Sequence, residues 1–215
     1  MMKRGDSLPP SRFRDDFAPL REENPICYLD NACTTMRPDS VVEAVTSYYT
    51  ETPGCGGRSP HRWGTAVTQN VIQARDAVSR FIGAARSEVI FTLNSTAAIN
   101  QIARGIGWQE GDVVITSDKE HNSNLVPWLQ LKRSGRIDHR IANSNEDNTF
   151  NMESFEEACS SAGENLRLVA VPHISNLDGV TNPLQEICKV AHDYGAEVLA
   201  DSAQSVPHQK TDVNE

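Results

Sequence analysis

Four short stretches of this sequence gather residue types that can do chemistry, and each follows an apolar run. Phe91-Thr92-Leu93-Asn94-Ser95-Thr96-Ala97-Ala98 leads into a Ser-Thr pair. At a helix start, Ser95 and Thr96 would aim two hydroxyls and several unpaired N–H groups at one point, a natural seat for phosphate, although a plain capped helix accounts for them equally. In Thr116-Ser117-Asp118-Lys119-Glu120-His121-Asn122-Ser123-Asn124, His121 could stack on a flat ring, act as a general base, or simply hydrogen-bond in a loop, the simplest reading of it alone. Val171-Pro172-His173-Ile174-Ser175-Asn176-Leu177-Asp178-Gly179 places an amide, Asn176, at a strand terminus. Leu199-Ala200-Asp201-Ser202-Ala203-Gln204 puts a carboxylate at the tip of an apolar strand, where desolvation is costly unless something positive meets it. A protonated pyridine nitrogen would do so; a buried salt bridge or an N-cap role are the plainer alternatives for Asp201.

Together the four ends specify one ligand better than any does alone. Phosphate donors, a flat stacking group, an amide pair and an acid for a ring nitrogen are what pyridoxal 5'-phosphate requires. Other cofactor signatures are missing: there is no G-K-[ST], and Gly105-Ile106-Gly107 follows a helical pattern instead of a strand, which removes the dinucleotide fingerprint. Cys27, Cys33, Cys55, Cys159 and Cys188 are odd in number and show no C-x-x-C spacing, so neither a disulfide framework nor a metal site is expected. Most of them are expected to be buried small apolar residues.

The elements that must position these residues follow from periodicity. Residues 1–27 read as an N-terminal arm with a short helix, anchored by Phe13, Phe17 and Leu20. Ser40–Tyr49 carries a capping box, Ser40-x-x-Glu43, ahead of apolar residues at helical spacing, and Ala66–Ile82 repeats apolar residues every three or four positions. The rhythm then alternates. Strands are predicted at Val89–Thr92, Val113–Thr116, Ile137–Ile141, Leu166–Val171 and Glu197–Ala200, with helices at Ser95–Arg104, Leu125–Lys132, Met152–Ser160 and one opened by Asn182-Pro183 and ended by Gly195. Short apolar strands separated by single amphipathic helices make an α/β fold with a mostly parallel sheet covered on both faces. Ligands in such sheets sit beyond the carboxyl ends of the strands, where the four stretches lie.

Composition narrows the partners. Twenty Lys+Arg stand against 29 Asp+Glu, a net charge of −9, so nucleic acid and anionic membrane are poor expectations. With 38% hydrophobic and 23% charged residues over 215 positions, this is the composition of a soluble globular chain. No run reaches the ~20 apolar residues of a membrane span, and no apolar stretch follows the charged start as a secretory signal would, so a cytoplasmic location is expected.

From Tyr28 onward the sequence resembles the cysteine desulfurases of the class V aminotransferase family, most closely the sulfur-mobilisation branch. Tyr28-Leu29-Asp30-Asn31-Ala32-Cys33-Thr34-Thr35 is similar to Y-L-D-N-A-A-T-T, and Glu120-His121-Asn122-Ser123-Asn124-Leu125-Val126-Pro127-Trp128 to E-H-x-S-N-x-x-P-W. Ser175-Asn176-Leu177-Asp178-Gly179 matches S-N-x-x-G, and Asp201-Ser202-Ala203-Gln204-Ser205-Val206-Pro207-His208 resembles D-G-A-Q-x-x-x-H. The resemblance implies an aspartate aminotransferase-type fold and a pyridoxal-phosphate enzyme that turns L-cysteine into L-alanine and an enzyme persulfide for iron–sulfur cluster assembly. It implies that His121 stacks on the ring, Asp201 pairs with its nitrogen, Asn176 and Gln204 contact the phenolic-oxygen side and substrate, and Ser95 and Thr96 hold the phosphate. It also implies a homodimer and a sulfur-acceptor protein. A selenocysteine lyase or an aminotransferase of the same family is the alternative.

The departures are specific. Asn94 stands where the family usually has Gly, Ala97 where it often has Glu, and Cys33 where it has a second Ala. Gly54-Cys55-Gly56-Gly57-Arg58-Ser59-Pro60-His61-Arg62 fits the family's active-site loop only loosely, and Cys55 is not expected to be the sulfur carrier. The family's Schiff-base lysine follows D-x-A-Q after another strand, and Lys210 is too close to Asp201 to be it. Residues 28–215 are therefore expected to be a large cofactor domain cut before that lysine, with the persulfide cysteine, the carboxylate-binding arginine and a small C-terminal domain further on. A catalytically inert chain is the expectation for these residues alone.

Overall fold

The computed structural model describes residues 13–21 and 27–214, and falls into two compact units, residues up to Ala77 and residues from Val78 on. In the first unit, the described part of the arm forms two short 3-10 turns, Arg14–Asp16 and Ala18–Leu20, in place of an α-helix; Phe13 is exposed, Phe17 and Leu20 half-buried. The rest of the expected arm lies outside the described residues. Helix α1 spans Asp39–Thr50. Its N-cap is Pro38, whose carbonyl takes the first helical N–H groups, so Ser40 falls inside the first turn and the expected capping box does not form. Val41, Val42, Val45, Tyr48 and Tyr49 on α1 are all exposed.

Helix α2 covers Arg62–Ile82, starting four residues earlier than its apolar stripe. Its first turn is pressed against the preceding loop: a Cβ on Gly64 would collide with the Ser59 carbonyl, and Thr68 Oγ1 accepts the Gly57 N–H at 2.8 Å. Three of the five cysteines correct the expectation of burial. Cys27, Cys33 and Cys55 are exposed, because the segments that hold them are loops; only Cys159 is buried and Cys188 partly so.

The second unit holds the sheet. Strands β1 (Val113–Ser117), β2 (Asp138–Ala142), β3 (Leu166–Pro172) and β4 (Glu197–Asp201) pair in the order β2-β1-β3-β4, all parallel. Helices α3 (Ser95–Gly105) and α4 (Asn122–Arg133) cover one face, and α5 (Met152–Ala162) and α6 (Leu184–Asp193) the other. Ile99, Ala103, Trp128 and Leu131 pack with Val114, Leu168 and Ala170; Phe155, Cys159, Ile187 and Ala191 pack with Val113, Ile115, Val169 and Val171. Alternate strand residues thus feed opposite cores, as a sheet buried on both sides requires. β3 breaks its alternation once. The β1–β3 register shifts between Val113 and Val114, so Val113 pairs with Leu166 and Val114 with Leu168, and the skipped Arg167 stays exposed.

Two expectations change. Val89–Thr92 is not a strand: it follows a 3-10 turn at Arg86–Glu88, and Ile90, Phe91 and Leu93 are 78%, 49% and 94% exposed. A β-branched run becomes a strand only where another strand pairs with it, and no strand among the described residues does. Helix α6 starts at Leu184 with Pro183 as its N-cap; Asn182 does not cap it but donates its amide to the Pro172 carbonyl at 2.7 Å. Among the described residues no helix is long and apolar enough to cross a membrane.

Candidate active site

The parallel order places the exits of β1, β3 and β4 on one edge: Thr116 pairs with Ala170, and Pro172 with Asp201. β1 connects through α4 to β2 on one side, and β2 connects through α5 to β3 on the other, so the chain switches direction between β1 and β3. The crevice beyond such a switch is where an open α/β sheet offers a ligand site. His121, Asn176, Asp201 and Gln204 all lie in or at the start of the loops leaving that edge.

Asn94 begins the site. It is an extended N-cap (φ −173°, ψ 174°) whose Oδ1 accepts the Ala97 N–H at 2.8 Å, so no left-handed turn is needed where the resemblance led to glycine. Ser95 and Thr96 are the first two residues of α3, exposed, with N–H groups that have no acceptor within the helix. α4 starts beside them, three residues earlier than the apolar pattern indicated. Its N-cap is His121, whose Nδ1 accepts the Ser123 N–H at 3.1 Å. An accepting Nδ1 puts the neutral ring's proton on Nε2, and the ring itself is exposed.

Ser123 joins the two helix starts. Its Oγ is 2.6 Å from Thr96 Oγ1 and 3.0 Å from His121 Nδ1. When Ser123 donates to Thr96, the Thr96 proton is free for an anion in front of α3. The sequence pattern alone assigns Ser123 no role; its position two residues after an N-cap is the available signal.

The loop after β1 is anchored residue by residue. Asp118 accepts the N–H and O–H of Ser144, at 3.0 and 2.6 Å. Lys119 donates to Asp178 Oδ2 and to the Asn148 carbonyl, both at 2.6 Å. That donation, with the Val180 N–H, holds the Asp178 carboxyl down at about 2. Glu120 turns inward: Oε1 accepts from Ser117 N (3.1 Å) and Oγ (2.6 Å), Oε2 from Asn124 Nδ2 (2.7 Å). Burial outweighs those hydrogen bonds and, with the nearby Asp201 charge, pushes its carboxyl up to about 7.

Asn176 is half-buried in a closed turn after β3, where Ser175 N–H donates to the Val180 carbonyl at 2.9 Å and Gly179 takes φ +74°. The Lys119–Asp178 pair ties this turn to the loop of His121. Asp201 ends β4, half-buried, its Oδ1 accepting the Ala203 N–H at 3.1 Å. Among the described residues it has no cationic partner, so the salt-bridge alternative does not hold. Gln204 is half-buried in the following turn. Cys55 lies in the first unit and Lys210 is exposed.

The profile described as aminotransferase class-V matches residues 27–215. The chain belongs to the class-V aminotransferase family. A probable cysteine desulfurase of Halalkalibacterium halodurans is 38% identical over 196 residues, 89% of this class-V chain and 48% of the relative. The solved apo cysteine desulfurase of Thermococcus onnurineus NA1 superposes with a TM-score of 0.87 at 31% identity, over 97% of this chain and 51% of that one. A C-DES mutant with glycine covalently linked to the PLP cofactor shares the fold at 21% identity, TM-score 0.81, over 94% of this chain and 52% of that one. The chain thus spans about half the length of the relatives it matches. Its sheet and its flanking helices are those of the aminotransferase fold.

Proposed function

We propose that this class-V chain serves a pyridoxal-phosphate-dependent cysteine desulfurase, which moves the sulfur of L-cysteine to an enzyme thiol and releases L-alanine. The observation that carries the reading is Asp201: a half-buried carboxylate at a strand tip, without a cation among the described residues and in a chain similar to named cysteine desulfurases. The residues fit the cofactor. Ser95, Thr96 and the start of α3 would hold the phosphate, the exposed face of His121 would take the ring, and Asp201 would meet a protonated ring nitrogen. When bound, the cofactor supplies an electron sink for carbanion chemistry at the substrate alpha carbon. The chain's own part is positional: Ser123 sets the orientation of His121, the Lys119–Asp178 pair sets the Asn176 turn, and Asp201 keeps a positive ring nitrogen in place. Asn176 and Gln204 are proposed on the phenolic-oxygen and substrate side. The reading assigns the covalent lysine and the sulfur-accepting thiol to no residue of this chain. A homodimer, a sulfur-acceptor protein and a role in iron–sulfur assembly belong to the same proposal.

The test is a visible spectrum after adding pyridoxal phosphate to the wild-type chain and to a Ser95→Ala/Thr96→Val variant. A saturable spectral change in the first, weakened at least tenfold in the second, supports the site. Equal spectra at every concentration overturn it. Cysteine-dependent sulfide release by the complete enzyme separates a desulfurase from an aminotransferase or selenocysteine lyase of the same family.

A further inference from the structure

The segment that carries Asp201 and Gln204 is fastened at both ends by one residue of the neighbouring strand exit. His173, the first residue after β3, donates its N–H to the Asp201 carbonyl at 2.9 Å, just past the Pro172–Asp201 pair. Beyond Asp201 the chain coils back: the Val206 N–H donates to the Ser202 carbonyl at 3.1 Å, the Gln209 N–H to the Ser205 carbonyl at 2.9 Å, and Ser205 is fully buried. The Gln209 side chain then meets the ring of His173, Nε2 to Nε2 at 3.0 Å. His173 also closes the other loop of the site. Its carbonyl accepts the Asn182 N–H at 2.9 Å, Asn182 Nδ2 donates to the Pro172 carbonyl at 2.7 Å, and Ile174 bridges to Thr181, so the turn that carries Asn176 has its base at the same residue. The main-chain bonds of His173 survive any substitution that keeps the backbone; the ring bond needs this side chain. An amide nitrogen only donates, so Nε2 accepts and the neutral ring carries its proton on Nδ1. Turning the amide over exchanges the two roles and keeps the link. Neither arrangement suits a second ring proton, because Nδ1 is buried without a hydrogen-bond partner among the described residues, and burial shifts the ring's pKa down.

We propose that His173 is a positioning residue: its neutral ring, through Gln209, closes the segment 201–209 on the exit of β3 and so fixes where Asp201 and Gln204 stand relative to Asn176. The closure stands on the contacts alone; its consequence for ligand binding rests on the reading of Asp201 and Gln204 as cofactor and substrate contacts. The main chain of Asp201 is tied to the sheet, whereas its Oδ1 accepts the Ala203 N–H from inside the coil. The direction of the carboxylate therefore follows the coil. Fastened at Gln209, the coil presents Asp201 and Gln204 in one arrangement before a ligand arrives. Released there, it has to be ordered by the ligand, and that ordering weakens binding.

Amide exchange at Val206, His208 and Gln209, whose N–H groups are bonded within the coil, reads the closure. His173→Leu and Gln209→Leu are each expected to speed it about fivefold, the scale of one hydrogen bond, with the urea midpoint of the whole chain unchanged. The double variant is expected to add nothing to either single one, and additive effects overturn the pairing. Nitrogen NMR of the His173 ring supplies a signature of the bond itself: the Nε2 shift moves in Gln209→Leu, and an unchanged shift overturns the proposal. Should His173→Leu not fold, Gln209→Leu decides alone, through the same exchange and the same shift. Fluorescence titration with pyridoxal phosphate tests the consequence: affinity falls severalfold in Gln209→Leu, and equal affinity overturns that half. A wild-type chain that binds no pyridoxal phosphate refutes the cofactor reading, while exchange and ring shift still decide the closure.

Discussion

The hydroxyl of Thr96, on the first turn of α3, lies 2.6 Å from that of Ser123, on the first turn of α4. Two helix N-termini are thereby pinned side by side, with their free N–H groups and positive dipole ends converging in front of the sheet. Ser123→Ala removes both the link to Thr96 and the Oγ contact to His121 while leaving the Ser123 N–H to Nδ1 bond in place. The expected outcome is a loss of about tenfold in pyridoxal-phosphate affinity, the worth of roughly one hydrogen bond to an ionised group, measured by fluorescence titration. A variant that binds as tightly as wild type removes Ser123 from the site.

Asp201→Asn keeps the side-chain shape and the acceptor for the Ala203 N–H but deletes the charge. In the complete enzyme, turnover is expected to fall by at least about a hundredfold, the scale of a lost electrostatic partner in a catalytic site, with pyridoxal phosphate still bound. Near-normal sulfide release would refute the role given to Asp201.

Glu120 predicts a pH profile for stability. Its folded value of about 7 stands above the ordinary 4.5, so its contribution is fully present below the unfolded value and is lost as pH rises through 7. Between those limits the wild-type chain should lose up to roughly 3 kcal/mol relative to Glu120→Gln. Urea unfolding of both proteins at pH 5 and pH 8 measures it, and parallel profiles would contradict the assignment.

Lys119 and Asp178 act in the opposite sense. The carboxyl is held at about 2, below its ordinary 3.8, so the stabilisation is present above 3.8 and disappears as pH falls through 2. The pair is partly exposed, which keeps its worth small. Its effect is local: Lys119→Met should speed amide exchange at Val180, whose N–H rests on Asp178 Oδ1, severalfold without a change in global unfolding. Unchanged exchange at Val180 would mean that the turn holds itself.

The βα rhythm from β1 to β4 was legible because each strand is an apolar run and each helix carries one buried stripe, signals that depend on local sequence alone. The two-sided core follows from the same runs. Val89–Thr92 was read as a strand on equally good composition, but pairing depends on a neighbour that local sequence does not encode. The α1 capping box failed for a related reason: Pro38 offered an earlier start. At the site, the strand-end residues were visible by type. Ser123 and Glu120 were not, since their importance lies in what they touch: Thr96, 27 residues away, in one case, and the enclosed space between Ser117 and Asn124 in the other.

β4 has one neighbour among the described strands, so it is the rim of the sheet on the side where Asp201 sits. A rim strand presents a row of unpaired main-chain donors and acceptors, an invitation to pair with another chain. The net charge of −9 opposes that by mutual repulsion, which salt screens over about 10 Å at 0.1 M. The colloidal behaviour of this chain should therefore be governed by ionic strength: light scattering is expected to stay monodisperse at low salt and to rise as salt is added, through association at the strand edges, of which β2 is the other.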